Sequence, residues 1–105
     1  MTPRTPRMAM LEELIAETPS DPELHYFMAM EYASAGDEAT AAQRLLDLTR
    51  SSQYVPAYLQ AGQILNQVNR VDEAIDALRR GMLAAREQGN THAEGEMAGL
   101  LTSIE

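Results

Sequence analysis

Apolar positions keep helical spacing along most of this chain, and the clearest stretch, residues 58–78, sets the register for the rest. Tyr58, Ala61, Gly62 and Leu65 fall at i, i+3, i+4 and i+7, one stripe of a helix. After Asn69 the pattern restarts with Val71, Ala74, Ile75 and Leu78. A chain reversal between the two stripes turns them face to face as an antiparallel helix pair. Gly62 sits inside the first stripe, where it costs about 1 kcal/mol of helix propensity relative to Ala. The expectation is that another backbone passes close beside it.

The other stretches follow in order. Residues 1–7, with prolines at 3 and 6, read as a disordered lead-in. A short amphipathic helix over 8–17 has Leu11, Leu14 and Ile15 on one edge and Glu12, Glu13 and Glu17 opposite, and Thr18-Pro19 ends it. Ser20-Asp21-Pro22-Glu23 is a helix start, with Ser20 as cap, Glu23 completing a capping box and Pro22 in the first turn. The second helix reaches residue 35 and is apolar on nearly all sides, so it is either sandwiched or offers a binding face. Gly36 ends it as a left-handed cap. A third helix over 37–50 turns Ala41, Ala42, Leu45 and Leu48 inward, and Pro56 opens a fourth. The fifth, 71–88, has Asp72 and Glu73 at its positive end and Arg86 near its negative end. Asn69 and Gly89 take the turn role of Gly36. Thr91-His92-Ala93-Glu94 is a second capping box, opening a last helix to residue 104 with Ala93, Met97, Leu100, Leu101 and Ile104 on its apolar edge. Gly95 and Gly99 weaken that helix, so it is expected to fray first.

Two of the helix pairs repeat one another. His25 to Tyr58, Ala29 to Gly62, Ala41 to Ala74 and Leu45 to Leu78 are each 33 residues apart. These residues resemble the tetratricopeptide repeat (TPR), whose signature is W-x2-L-G-x2-Y, then A-x3-F, then P, over about 34 residues. Tyr58 stands for the Trp, Ala61-Gly62 for the Leu-Gly, Leu65 for the Tyr, and Ala74 with Leu78 for the Ala and Phe. The first unit matches as His25, Met28, Ala29, Tyr32, Ala41 and Leu45. His25 departs from the usual large apolar residue, and the final Pro has no counterpart at its place. The resemblance keeps register over 22–88 and reaches the flanks by position alone. It implies an all-α fold, a short right-handed TPR solenoid of about six helices in antiparallel pairs with a concave inner face. Its parts are a half-unit helix at 8–19, repeats at 22–54 and 55–88, and a capping helix at 91–104.

Composition narrows the function classes. A chain of 105 residues has room for one domain with its own core. Without Cys there are no disulfides, thiolate metal sites or cysteine nucleophiles. Apolar runs fall short of a membrane span, and the early glutamates do not suit a signal peptide, so a soluble cytoplasmic protein is expected. The net charge is −8 and all eight cations are Arg, which disfavours nucleic acid and anionic membranes as partners. Absence of Lys suits a GC-rich genome or a salt-adapted surface. His25 and His92 lack ligand-spaced companions, so no metal is expected; His25 reads as a packing residue and His92 as a local hydrogen-bonding group. Acidic pairs in first turns are explained by helix stability alone. With no phosphate loop and no hydrolase or zinc motif, no catalytic residue, cofactor or enzyme activity is expected.

The resemblance implies that the first helix of each repeat lines the concave face. The positions off the packing stripe are Glu23, Tyr26, Phe27 and Met30 in the second helix, with Ala33 and Ser34 at its edge, and Leu59, Gln60, Gln63, Asn66 and Gln67 in the fourth. The first set offers aromatic and thioether surface, the second amides that donate and accept. The reading is a non-enzymatic scaffold binding a neutral or basic peptide or partner helix. TPR proteins that grip chaperone carboxylates use Lys, Arg and Asn on this face, and no cation occurs among these positions. Two alternatives stand beside it. Tyr26, Phe27 and Met30 could pack under the first helix, or the chain could be a homo-oligomer joined through the ends of the array.

Overall fold

The computed structural model describes residues 3–105, and five of its six helices open where capping chemistry or a first-turn proline permits. Helix α1 (Pro6–Glu17) follows Thr5, whose hydroxyl accepts the Met8 N–H at 3.1 Å. It therefore starts two residues before the expected position, and Pro6 and Arg7 of the expected disordered lead-in are helical; residues 1 and 2 of that lead-in lie outside the described residues. Helix α2 (Pro22–Ser34) is capped by Asp21, which accepts the Glu23 N–H at 3.0 Å, rather than by Ser20. Pro22 has no N–H, so Glu23 offers the first donor and Asp21 is the residue placed to take it. Asp37 caps α3 (Glu38–Ser51) through the Thr40 N–H. Helices α4 (Val55–Gln67) and α5 (Val71–Glu87) have no side-chain cap bond. Asn90, not Thr91, caps α6 (Thr91–Ile104) by accepting the Ala93 N–H at 3.1 Å. Glu94, expected to close a box with Thr91, instead accepts from Arg86 Nε at 2.8 Å.

Gly36 and Asn69 take φ of 87° and 65°, the left-handed conformation expected of them. In both turns an N–H returns to a carbonyl five residues back, Asp37 to Tyr32 at 2.9 Å and Arg70 to Leu65 at 2.8 Å. The turns thus repeat 33 residues apart, and each folds one helix back on the next.

The six helices pack successively, α2 with α3 and α4 with α5 as the two repeats, and α3 against α4 as their junction. Alanines dominate the central core, Ala29, Ala41, Ala42, Ala57, Ala61, Ala74 and Ala77 packing around Leu45, Leu46 and Leu65. Small residues let the helix axes approach closely. Val55, Tyr58, Leu78, Ala85 and Met97 form a second cluster beneath α6, and Met8, Leu11 and Met28 a third beneath α1. A Cβ on Gly62 would lie 2.4 Å from Leu78 Cδ2, so the close neighbour is a fully buried side chain, not the expected backbone. Gly81 plays the same part unannounced, since its Cβ would lie 2.4 Å from Tyr58 Cβ and 2.5 Å from Met97 Sδ.

Of the signature positions, Met28, Ala29, Ala41, Leu45, Tyr58, Ala61, Gly62, Leu65, Ala74 and Leu78 are buried, while His25 and Tyr32 are half-buried. His25 repeats what Tyr58 does. The Tyr58 hydroxyl donates to the Ser52 carbonyl at 3.3 Å, and His25 Nε2–H to the Pro19 carbonyl at 2.6 Å. Each reaches back six residues to tie down the loop that precedes its repeat. A carbonyl only accepts, so Nε2 holds the proton.

The N-terminal end differs from expectation. On α1 the inward stripe is Met8, Leu11 and Ile15, whereas Leu14, expected on that edge, is exposed. The stripe follows the i, i+3, i+7 row that faces α2. Helix α6 buries Met97 completely, packs on both α4 and α5, and adds the Arg86–Glu94 and Arg79–Glu105 pairs. These contacts work against the loss of propensity at Gly95 and Gly99, whereas α1 packs mainly on α2.

Candidate functional site

Helix α2 turns Met28 and Ala29 inward, which sends Tyr26, Phe27 and Met30 to its other side. Tyr26 and Met30 are half-buried against the central core, and Phe27 is 44% exposed. The Tyr26 ring stands 6.0 Å from that of Phe27 and meets Tyr54 edge-on at 5.4 Å, an aromatic run joining α2 to the residue that precedes α4. Burial raises the Tyr26 phenol above its ordinary pKa. Tyr54 is raised as well, by burial first and then by the nearby Glu23 carboxylate. Glu23 thus belongs to this aromatic edge. Tyr54 was missed in the sequence, and the only signal for it was an aromatic residue just before the proline-opened α4.

Helix α4 divides its expected lining residues. Leu59 is half-buried against the cluster beneath α6, beside Leu100, Leu101 and Ile104, and helps to seal that junction. Gln60 and Asn66 are half-buried and Gln63 and Gln67 exposed, and among the described residues none of these four amides has a side-chain hydrogen bond. Four open amides on one helix can donate and accept at once, as a backbone requires.

Helix α1 does not cover the aromatic edge. It packs on Met28, Leu24, Tyr32 and Ala35, on the other side of α2. Only Phe27 and Met30 border it, across a groove of about 370 Å³ shared with Arg7, Met10, Leu11, Glu31 and Ser34.

A larger hollow, about 740 Å³, lies elsewhere, at the last turn of α3. Its groups are mutually engaged. The Tyr58 hydroxyl shares its single proton between the Ser52 carbonyl and the Thr49 carbonyl, the latter at 3.2 Å, and Arg80 donates to the Thr49 carbonyl at 3.3 Å and to the Thr49 hydroxyl at 3.2 Å. Asp76 neutralises Arg80 at 2.8 Å. A cation and a phenol at the carbonyl end of α3 satisfy that end of the helix. His92 is exposed and pairs locally with Glu96 at 3.0 Å. Among the described residues no helix is long and apolar enough to cross a membrane.

A family model described as tetratricopeptide repeat matches residues 2–55, over half of the chain. The match takes in α1, where residue-by-residue register was absent. Two solved structures of a tetratricopeptide repeat domain protein from Salinibacter ruber are similar over most of the chain. The crystal structure is 26% identical, covers 80% of this chain and 94% of that one, and superposes with a TM-score of 0.74. The solution structure is 27% identical, covers 83% and 89%, and has a TM-score of 0.77. No curated protein matches the chain.

Proposed function

The chain belongs to the tetratricopeptide repeat family, and on that premise we propose that it is a cytoplasmic, non-enzymatic adaptor that holds a partner protein on its concave face. The observation that carries this reading is the presence of a half-buried aromatic edge, Tyr26 and Tyr54 with the exposed Phe27, beside the open amides Gln60, Gln63, Asn66 and Gln67 of the next repeat. The aromatic edge supplies apolar area at low ordering cost, and the amides supply the hydrogen bonds that fix a peptide or helix backbone. The positions named on this face include Glu23 and no Arg, with Arg7 at the edge beside Phe27 and Met30, so a neutral or basic segment is the better match.

Capture from native lysate tests it, comparing wild type with Gln63→Arg/Gln67→Arg. Both positions are exposed, so the variant should fold as wild type does by circular dichroism. A partner retained by wild type and lost by the variant supports the reading; identical captures remove it. A second reading, a homo-oligomer joined through an end of the array, is favoured by Met10 and Leu14, exposed on the terminal helix α1.

A further inference from the structure

Helix α1 presents a face that α2 meets only at its margin, where Arg7 reaches Glu31 and Met10 borders the groove. Met10 is 52% and Leu14 39% exposed on it. Arg7 lies three residues before Met10 and Glu17 three after Leu14, so all four share one side of the helix. Glu12, at the midpoint, lies on the opposite side and pairs with Arg4. Around that midpoint the face is complementary to itself. Laid antiparallel on a second α1 with the two Glu12 residues in register, Met10 meets Leu14 of the second copy, and Arg7 meets its Glu17. A two-fold axis generates each contact twice, as an isologous interface requires. Neither Glu13 nor Glu17 has an ion-pair partner among the described residues, and Arg7 reaches only Glu31, at 3.9 Å.

We propose that this protein forms a two-fold dimer through α1, in which Met10 packs against Leu14 and Arg7 pairs with Glu17 of the second copy. This rests on the second reading above and narrows it to one helix and one register. Phe27 and the groove between α1 and α2 border the contact, and the amides of α4 are left open for a partner. The surface is small. Two 12-residue helices, each about 18 Å long, fall short of the roughly 1,200 Å² that stable dimers bury, so monomer and dimer exchange at ordinary concentrations.

Sedimentation equilibrium from about 10 µM to about 1 mM reads the result directly. The wild-type mass should rise from 11.6 kDa toward twice that value, while Leu14→Glu, with unchanged helix content, should remain at 11.6 kDa. Arg7→Glu and Glu17→Arg should each weaken association about tenfold by setting like charges together. The double exchange Arg7→Glu/Glu17→Arg should restore it. Monomer at every concentration overturns both the dimer and the end-joined reading. Association indifferent to Leu14→Glu, or a double exchange no better than the single ones, overturns the α1 interface and moves the contact to another surface. Partner capture by the concave face is unaffected by any of these outcomes.

Discussion

A methyl group added at Gly62 would land 2.5 Å from Leu78 Cγ, and Leu78 is fully buried with no room to retreat. Gly95 and Gly99, inside α6, have nothing within 4 Å of the same added atom. Gly62→Ala should therefore lower stability by about 1–3 kcal/mol, as overpacking does. Gly95→Ala should raise it by about 0.5–1 kcal/mol through helix propensity. Urea unfolding of both variants gives the sign of each, and the opposite order would refute the packing described around Leu78. The value of Gly62 was legible because the repeat signature holds a glycine there. That of Gly81 was not, since its neighbours Tyr58 and Met97 come from two other helices and local periodicity does not record them. The caps were misplaced by one residue at Ser20 and Thr91 for a related reason. Ser20 and Asp21 both suit a cap, as do Asn90 and Thr91, and the choice turns on which N–H groups the helix leaves free.

Among the helices, α1 and α6 both end the array but are held differently. Helix α6 contributes Ala93 and Met97 to a buried cluster shared with α4 and α5, while α1 rests on α2 through Met8, Leu11 and Ile15. Amide exchange on the monomer should show α1 opening first, with α6 protected close to the level of α5. Faster exchange in α6 than in α1 would mean that its two glycines outweigh its contacts. All six helices could be read from apolar spacing and from turn residues, and over α2 to α5 a 33-residue register repeats both. Which side of α1 faces inward could not, since Leu11, Leu14 and Ile15 fit a helical edge as well as Met8, Leu11 and Ile15. The neighbour decides, and in this chain the neighbour is α2.

At the scale of the whole molecule, sixteen carboxylates face eight guanidinium groups. The ion pairs are solvent-exposed for the most part and each contributes little, whereas the excess negative charge repels itself over the entire surface. Added salt screens that repulsion over about 10 Å at 0.1 M and 3 Å at 1 M. Thermal unfolding midpoints should therefore rise from low salt to molar KCl; a flat or falling midpoint would leave composition alone as the account of the missing Lys. The off-stripe positions were legible as a list and less so as a surface. Leu59 is drawn under α6, and Tyr26 leans on Tyr54, a residue outside every helix. The seam between the repeats has a further bearing on how such arrays can be cut and joined. Tyr58 and Arg80, from the second unit, serve the last carbonyls of α3 in the first. A cassette removed at the sequence boundary near residue 54 would leave with its neighbour's ending still unbound. The piece that can be exchanged intact is therefore not the piece that repeats: it runs from the middle of one junction to the middle of the next.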